Sequence, residues 1–265
     1  MDKSTIGDRF KDYESRSATK LLPRIPMIIR LDGVAFHTFT KQYKDKDAKD
    51  PFSLELKDAM GYAIRNTCNN VSGVKAVYQQ SDEITFYLQE NEPNSQVWYD
   101  YKVQKMCSVI AGMFSSYFNH ILDPSNLGYF DARAFNVPDE VEVNNNLIWR
   151  QMDAMRNSVN MVGRHHFSHK QMMNKNTTQV KEMLKEKEII WEDLELWKQR
   201  GSLYVRTTSR GDTSYIDKNG KRQDVFNVIR SKWEEVECPL FTEVKIYDML
   251  EQLELEKKCL TNMPT

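Results

Sequence analysis

The spacing of hydrophobic and polar positions changes several times along the chain, and each change marks an element. Between residues 24 and 32, Ile25, Met27, Ile28, Ile29 and Leu31 form a short apolar run beside two prolines, which predicts a buried strand ending at Asp32-Gly33. Phe52, Leu56, Met60, Ala63 and Thr67 then recur every three or four residues behind Pro51, a residue suited to a helix start, so a helix is predicted over about 51–69. Residues 74–80 and 84–88 are two β-rich runs split by Ser81-Asp82-Glu83, which is hairpin spacing. Trp98, Tyr101, Met106, Ile110, Met113 and Tyr117 predict a second amphipathic helix, and 130–137 alternates like a strand.

After residue 138 the period turns helical. Ile148, Met152, Met155, Val159 and Val162 step by four, three, four and three, with Arg150, Asp153, Asn157 and Arg164 on the other side of the same helix. Shorter helices are predicted near 177–187 and 191–197, then a hairpin from 203–208 and 213–225 turned at Asn219-Gly220, and a last helix over about 241–257.

The first half thus has the order β-α-β-β-α-β, the ferredoxin-like arrangement, and the fold class is α+β. Right-handed crossovers make the first two strands parallel, with the third antiparallel between them. The end of the first strand and the hairpin between the second and third then share one edge. Asp32 and Asp82, fifty residues apart, are expected to be neighbours in space.

Composition narrows the reading. A chain of 265 residues, 40% hydrophobic and 28% charged, is a packed protein of one large domain, or one domain with an extension. The longest clean apolar stretch is the short run around Val109 to Phe114, so no membrane span is expected. The first ten residues lack a secretory pattern, and Cys68, Cys107, Cys238 and Cys259 show neither disulfide nor zinc spacing, so a reducing cytoplasm is expected. Net charge is only −1, yet 198–232 holds nine bases (Lys198, Arg200, Arg206, Arg210, Lys218, Lys221, Arg222, Arg230, Lys232) against three acids (Asp212, Asp217, Asp224). A basic surface on the C-terminal half follows.

Two aspartates converging beside Glu83 offer hard oxygen ligands of the kind Mg²⁺ prefers. Two such ions could clamp an attacking hydroxyl and a leaving phosphate, with Asp32 and Asp82 as shared ligands. The bland alternative is a pair of ordinary polar turns. The turn through Gly33, Val34, Ala35, Phe36 and His37 could present backbone amides to triphosphate oxygens, and His37 itself could touch nucleotide or serve as a local hydrogen-bonding group. Lys41, Lys44, Lys46 and Lys49, interleaved with Asp45, Asp47 and Asp50, read as a solvated loop from which one lysine could reach a phosphate. Arg164, His165, His166, His169, Lys170 and Lys175 suit phosphate contact better than metal binding, since no carboxylate or thiol recurs at ligand spacing; a wet helix junction is the simpler reading.

Arg30-Leu31-Asp32-Gly33-x-x-Phe36-His37-x-Phe39, Gln80-Ser81-Asp82-Glu83 and Trp149-Arg150-Gln151-x-Asp153-x-x-x-Asn157 together closely resemble the tRNA-His guanylyltransferase superfamily, over most of the chain. The resemblance implies a polymerase-like palm over 1–137, with a mainly helical and hairpin extension over 138–265, that adds nucleotides to the 5′ end of tRNA in the 3′–5′ direction. It implies that Asp32, Asp82 and the Gly33 carbonyl hold two Mg²⁺ ions. Gly33 to His37 and Ser81 would hold the nucleoside triphosphate, GTP or ATP, and Glu83 would support the metal aspartates. Lys105, Arg150 and the basic hairpin with Arg200 become candidates for phosphate or tRNA backbone, alongside Arg164, Lys170 and the motif's Asn157. A homotetramer is also implied.

The family's His-Ile-Asn-Asn-Leu-Tyr-Asn stretch is here Met155-Arg156-Asn157-Ser158-Val159-Asn160-Met161, in which only Asn157 and the aliphatic Val159 carry over. The segments 130–138 and 167–170 look more like the guanylyltransferase-like branch, which extends truncated tRNA 5′ ends on the opposite strand as template. Two other classes share the β-α-β-β-α-β order or the paired acids. One is a non-catalytic RNA-binding module, though Phe86 and Tyr87 lack the aromatic strand motif of such domains. The other is a nucleotide cyclase, which has no use for a basic C-terminal half.

Overall fold

The structure, a computed structural model, describes residues 5–43, 51–90 and 97–262. Its elements in chain order are α1 (Ile6–Arg16), β1 (Met27–Gly33), α2 (Phe36–Phe39), α3 (Leu54–Cys68), β2 (Val74–Gln80), β3 (Glu83–Leu88), α4 (Val103–Ile121), β4 (Phe130–Asn136), α5 (Glu140–His166), α6 (His169–Met172), α7 (Thr177–Lys185), α8 (Leu196–Arg200), β5 (Ser202–Ile216), β6 (Arg222–Val236) and α9 (Ile246–Asn262). The strands make a six-stranded sheet in the order β4-β1-β3-β2-β5-β6. β3 therefore lies between β1 and β2, as the β-α-β-β-α-β reading requires.

Contacts divide the chain into two units, the first comprising Met1–Tyr43, Leu54–Val74 and Asp82–Asp139 and the second the remainder. In the first, β1 pairs antiparallel with β3 and β4, placing Leu31 opposite Ile84 and Ala132, and Ile29 opposite Phe86 and Ala134. Register partners project to the same side of a sheet, so these residues form one apolar face. α4 covers it: Met106, Ile110, Phe114 and Phe118 recur every four residues and are fully buried, and Phe114 and Phe118 lie 4.7 and 5.2 Å from the Phe130 ring of β4. α3 packs on α4 and buries Ala59, Met60, Ala63 and Ile64 at the same helical spacing. Each large side chain so buried contributes about 1.5–3 kcal/mol. The opposite face of the same strands is polar toward its Asp32 end, beyond a row of Ile28, Tyr87 and Phe135, and that asymmetry sets up the site.

In the second unit, α5 buries Val143, Leu147, Ala154, Val159 and Val162 along one stripe. Two amides on that stripe fasten the segment before α9: Asn144 Nδ2 donates to the Phe241 carbonyl (3.1 Å) and its Oδ1 accepts from the Ile246 amide (3.0 Å). Gln151 does the same for Pro239 and Phe241, at 2.7 and 3.0 Å. β5 pairs with β2 at its root and with β6 throughout, turning at Asp217–Lys221, where Gly220 takes φ +77°. Only its first residues, Ser202 to Val205, are buried; the outer ribbon is largely exposed.

Several elements differ from expectation. The ribbon strands extend well past the predicted runs, because exposed Thr, Ser and Arg positions carry no apolar alternation. The last helix starts at Ile246 rather than near 241, since Phe241 is buried against Tyr78, with rings 5.4 Å apart, and bonded to Gln151. Trp98 and Tyr101 precede α4 in a turn where Tyr99, Asp100 and Tyr101 take φ of 49°, 53° and 56°. Such left-handed residues cost roughly 1–2 kcal/mol each. The 19–24 segment clamps the turn through Lys20–Asp100 (2.5 Å) and the Leu21 amide on the Tyr101 carbonyl (3.0 Å). No helix among the described residues is long and apolar enough to cross a membrane.

Candidate active site

The polar face of the first unit is ordered in rows. Asp32 at the end of β1 stands opposite Glu83 of β3 on one side and Asp131 of β4 on the other. Two positions along, Arg30 stands opposite Thr85 and Arg133. A row of carboxylates thus adjoins a row bearing two guanidiniums. Glu83 is 8% exposed, and its Oε2 lies 3.8 Å from Arg30 Nε, which compensates its charge; Arg133 reaches Asp131 at 3.3 Å. Asp82 joins this edge through its backbone, whose carbonyl accepts from the Gly33 amide at 3.1 Å. The structure therefore brings Asp32, Gly33, Asp82 and Glu83 together, as the topology required.

Asp131 and Arg133 were missed as candidates. The signal was the alternation Phe130-Asp131-Ala132-Arg133, which mirrors Arg30-Leu31-Asp32: in both, apolar residues face the core and charged ones the opposite side.

The turn after β1 is held by its aromatic residues. A Cβ on Gly33 would sit 2.2 Å from the Phe36 ring, so only glycine fits there. Phe36 packs with Phe39, Phe118 and Phe130 at 4.8, 5.6 and 5.1 Å, so its side chain faces the core and only its backbone is available to a ligand. Ala35 is left-handed (φ 53°) and Val34 is 52% exposed. The Gly33 amide donates to the Asp82 carbonyl and the Val34 amide to the Tyr129 carbonyl (2.8 Å). His37 is exposed, its Nε2 3.0 Å from Thr38 Oγ1. Ser81 is left-handed (φ 48°) at the hairpin tip, its carbonyl accepting from Gln79 Nε2 at 2.8 Å.

The other candidates are dispersed. Lys105 lies in the first turn of α4, its Nζ 4.7 Å from the Tyr99 ring, beside the segment leading into β1. That is the far end of β1 from Asp32, about 20 Å along the strand. On α5, Asp153 is a hub: Arg150 and Asn157 donate to its Oδ2 at 3.0 and 3.3 Å, and Arg156 to its Oδ1. Arg150 is 8% exposed, with its guanidinium 4.5 Å from the Trp149 ring. Arg164 and Lys170 are exposed at and beyond the end of α5, and Arg200 on α8 lies 3.9 Å from Glu237. Lys44, Lys46 and Lys49 lie outside the described residues.

No three His, Cys, Asp or Glu side chains among the described residues are grouped to hold a metal ion by themselves. A cation at the β1 edge would therefore have at most the two aspartates and a backbone carbonyl to draw on, the rest of its shell being water. Such an all-oxygen, incomplete set suits Mg²⁺, which keeps several of its waters.

Residues 7–138 match the family described as Thg1: tRNAHis guanylyltransferase. A solved bacterial tRNA(His) guanylyltransferase (Thg1)-like protein in complex with ATP is 33% identical, with a TM-score of 0.78, over 94% of this chain and 99% of its own. The chain belongs to the tRNAHis guanylyltransferase family. The bacterial Thg1-like protein in complex with GTP gives 32% identity and a TM-score of 0.74, over 94% and 99% of the two chains. These solved structures are of the guanylyltransferase-like branch to which the motifs pointed. The tRNA(His) guanylyltransferase of Schizosaccharomyces pombe is 30% identical over 155 residues, 56% of this chain and 56% of its own, so the match spans about half of that relative. With this kinship the chain is a nucleotidyltransferase.

Proposed function

We propose that the protein adds nucleotides, guanylate among them and template-directed, to the 5′ end of tRNA in the 3′–5′ direction, in tRNA processing or repair. The observation that carries this reading is the carboxylate row: Asp32 in register with Glu83, and Asp82 bonded by its backbone to Gly33. Carboxylates gathered at one strand edge repel one another, and a bound cation would relieve that repulsion, which supports this reading. The ATP and GTP complexes of the bacterial relatives support nucleoside triphosphates as substrates.

Asp32, Asp82 and the Gly33 carbonyl would hold two Mg²⁺ ions, which when bound lower the pKa of an attacking hydroxyl and neutralise phosphate charge. The chain's own residues then position the reactants. The amides of Ala35, Phe36 and His37 receive triphosphate oxygens, with Ser81 at the neighbouring tip. Glu83, paired with Arg30, is assigned a supporting role beside the metal aspartates. Arg133, on the same face, supplies a guanidinium for phosphate as charge develops. ATP adenylylates a 5′-monophosphate end with release of pyrophosphate, the 3′-hydroxyl of the incoming nucleotide attacks that activated phosphate and AMP departs; from a 5′-triphosphate end pyrophosphate departs and no ATP is needed. Arg150, Asn157, Arg164, Lys170, Arg200 and Lys105 are assigned to tRNA phosphates, and we place the protein in the cytoplasm as a homotetramer.

The test is direct. Purified protein is incubated with labelled GTP, ATP, Mg²⁺ and either intact or 5′-truncated tRNA, and the 5′ ends are mapped. Label at the truncated 5′ end, in the order the opposite strand dictates, is the expected result. Cyclic product, or RNA binding without incorporation, would replace this reading with one of its alternatives.

A further inference from the structure

In the second unit, β5 is paired along one side and open along most of the other. Its root pairs with β2, but that ladder ends where Val205 meets Ala76, whereas β6 accompanies β5 out to Ile216. From Arg206 to Ile216 the second side of β5 therefore has no strand neighbour among the described residues. α9 also packs on β5, yet the buried residues of that strand are those of the root, Ser202 to Val205. Tyr215 and Ile216 are 56% and 74% exposed. An open edge offers unpaired amides and carbonyls to any other strand, and folded proteins usually guard it with lysine, proline or a bulge. The two edges of the ribbon differ in this respect. β6 is bulged: it steps from Val228 to Val225 while β5 steps only from Gly211 to Thr213, and Asn227 within the bulge is left-handed (φ 60°). β5 has no bulge, lysine or proline between Arg206 and Ile216. The Asn227 amide donates to Asp212 Oδ1 at 2.9 Å, which fixes that carboxylate on β5.

The open edge reads Arg206-Thr207-Thr208-Ser209-Arg210-Gly211-Asp212-Thr213-Ser214-Tyr215-Ile216. A second copy related by a two-fold axis normal to the sheet pairs with it antiparallel, and the axis must pass through a residue, because opposed side chains share a face. With the axis on Gly211, Arg210 meets the partner's Asp212, Ser209 the partner's Thr213, Thr208 the partner's Ser214, and Thr207 the partner's Tyr215. These are an opposite-charge pair, two hydroxyl pairs and an aromatic–β-branched pair, the kinds that stabilise adjacent strands, and symmetry supplies each of them twice. Moving the axis by one residue fails, since on Arg210 or Asp212 it sets that charge against its own copy. Moving it to Ser209 brings Thr213 onto Val205, which is already paired with β2, and leaves Tyr215 and Ile216 outside the ladder. We propose that the open edge of β5 joins a second copy of this chain in register about Gly211, so that two ribbons form one continuous sheet. The strand order across the junction is β6-β5-β5-β6, which covers both open edges and leaves the bulged ones outermost. This goes beyond the homotetramer proposed above by naming one surface that joins its chains, and it holds equally for a dimer.

The test uses the full chain without nucleotide or tRNA, so its outcome is independent of the transferase reading. Cys259→Ser first removes the exposed native thiol. In that background Gly211→Cys sets two thiols opposite each other on the axis, at the roughly 4.5–5.5 Å between opposed Cα atoms that a disulfide spans. Within its own chain a Cβ at Gly211 meets open space, so the substitution fits. Mild oxidation should convert most of the Gly211→Cys protein to a covalent dimer on a non-reducing gel. Ser214→Cys alone should stay unlinked, because its two copies stand about 20 Å apart along the strands. Mixed with Thr208→Cys, it should form a disulfide between the two variants. Arg210→Asp, which opposes like charges at the junction, should lower the Gly211→Cys yield about tenfold and halve the particle mass in sedimentation. No disulfide in either the Gly211→Cys or the mixed sample, equal linking of Ser214→Cys alone, or a particle mass indifferent to Arg210→Asp would overturn the proposal.

Discussion

The end of β1 and the outer ribbon of β5 and β6 are both strand structure, yet they handle charge in opposite ways. At β1, Asp32, Glu83 and Asp131 occupy a single register row, fixed by a fully buried apolar face behind them. Along the ribbon the bases are spread over two strands of fifteen residues, many beside an acid, as in Arg222–Asp224 (3.0 Å) and Lys232–Glu234 (2.6 Å). Charge concentrated against a rigid core calls for a counter-ion at one place. Charge dispersed on an exposed ribbon attracts a polyanion anywhere along it, weakly per residue and through salt-dependent forces.

The sharpest way to break that comparison is to remove one carboxylate. Asp82→Ala is expected to lower nucleotide transfer by about three orders of magnitude, in line with loss of a group that stabilises developing charge. The carbonyl of residue 82 that accepts from the Gly33 amide is kept in this variant, so the fold should persist. Turnover within tenfold of the parent would mean the row is structural, and the contrast with the ribbon would collapse.

The core behind the row is next in size. Phe36→Ala removes a ring packed against three others and should cost about 3–5 kcal/mol in urea unfolding. Gly33→Ala forces a methyl to within 2.2 Å of that ring and should cost about 1–3 kcal/mol. Both should also lower transfer, because the turn they hold carries the amides of Ala35 to His37. A stable Gly33→Ala protein would show that the turn is looser than its packing implies.

What could be read in advance follows the same divide. The meeting of Asp32 with Asp82 was legible because strand periodicity and crossover handedness fix which ends of strands coincide, and neither depends on side-chain detail. The burial of Phe36 was not, since a motif shows that a residue recurs and not which way it faces. Asp131 and Arg133 escaped because their role depends on register with β1, which no single strand reveals. The left-handed run at Tyr99 to Tyr101 has no glycine to announce it, and α1 is so charged that it reads as solvent-facing chain.

For the ribbon, smaller and graded effects are expected. Lys218→Gln and Lys221→Gln lie at its exposed tip. For every tRNA phosphate that such a substitution leaves unneutralised, the slope of log affinity against log salt should fall by about 0.7 to 0.9, with transfer at saturating tRNA unchanged. A slope that stays the same would remove the tip from the tRNA surface and leave the inner bases to carry it.

The least perturbing probe compares the ribbon's root with the rest of the molecule. Cys238 follows β6 directly, is 2% exposed, and has its thiol pushed up to about 12 from an ordinary value near 9.0, chiefly by burial. At pH 8 it is therefore almost wholly the unreactive thiol, whereas exposed Cys259 on α9 is accessible to an alkylating reagent. Iodoacetamide should label Cys259 in native protein and Cys238 only after unfolding. The sign of the linked pH effect is fixed as well. Above about pH 9 the unfolded chain loses the Cys238 proton while the folded chain keeps it, so stability should fall as pH rises from about 9 to 12. Rapid native labelling of Cys238 would mean that the root opens on its own, making the ribbon a hinged arm rather than an extension of the sheet.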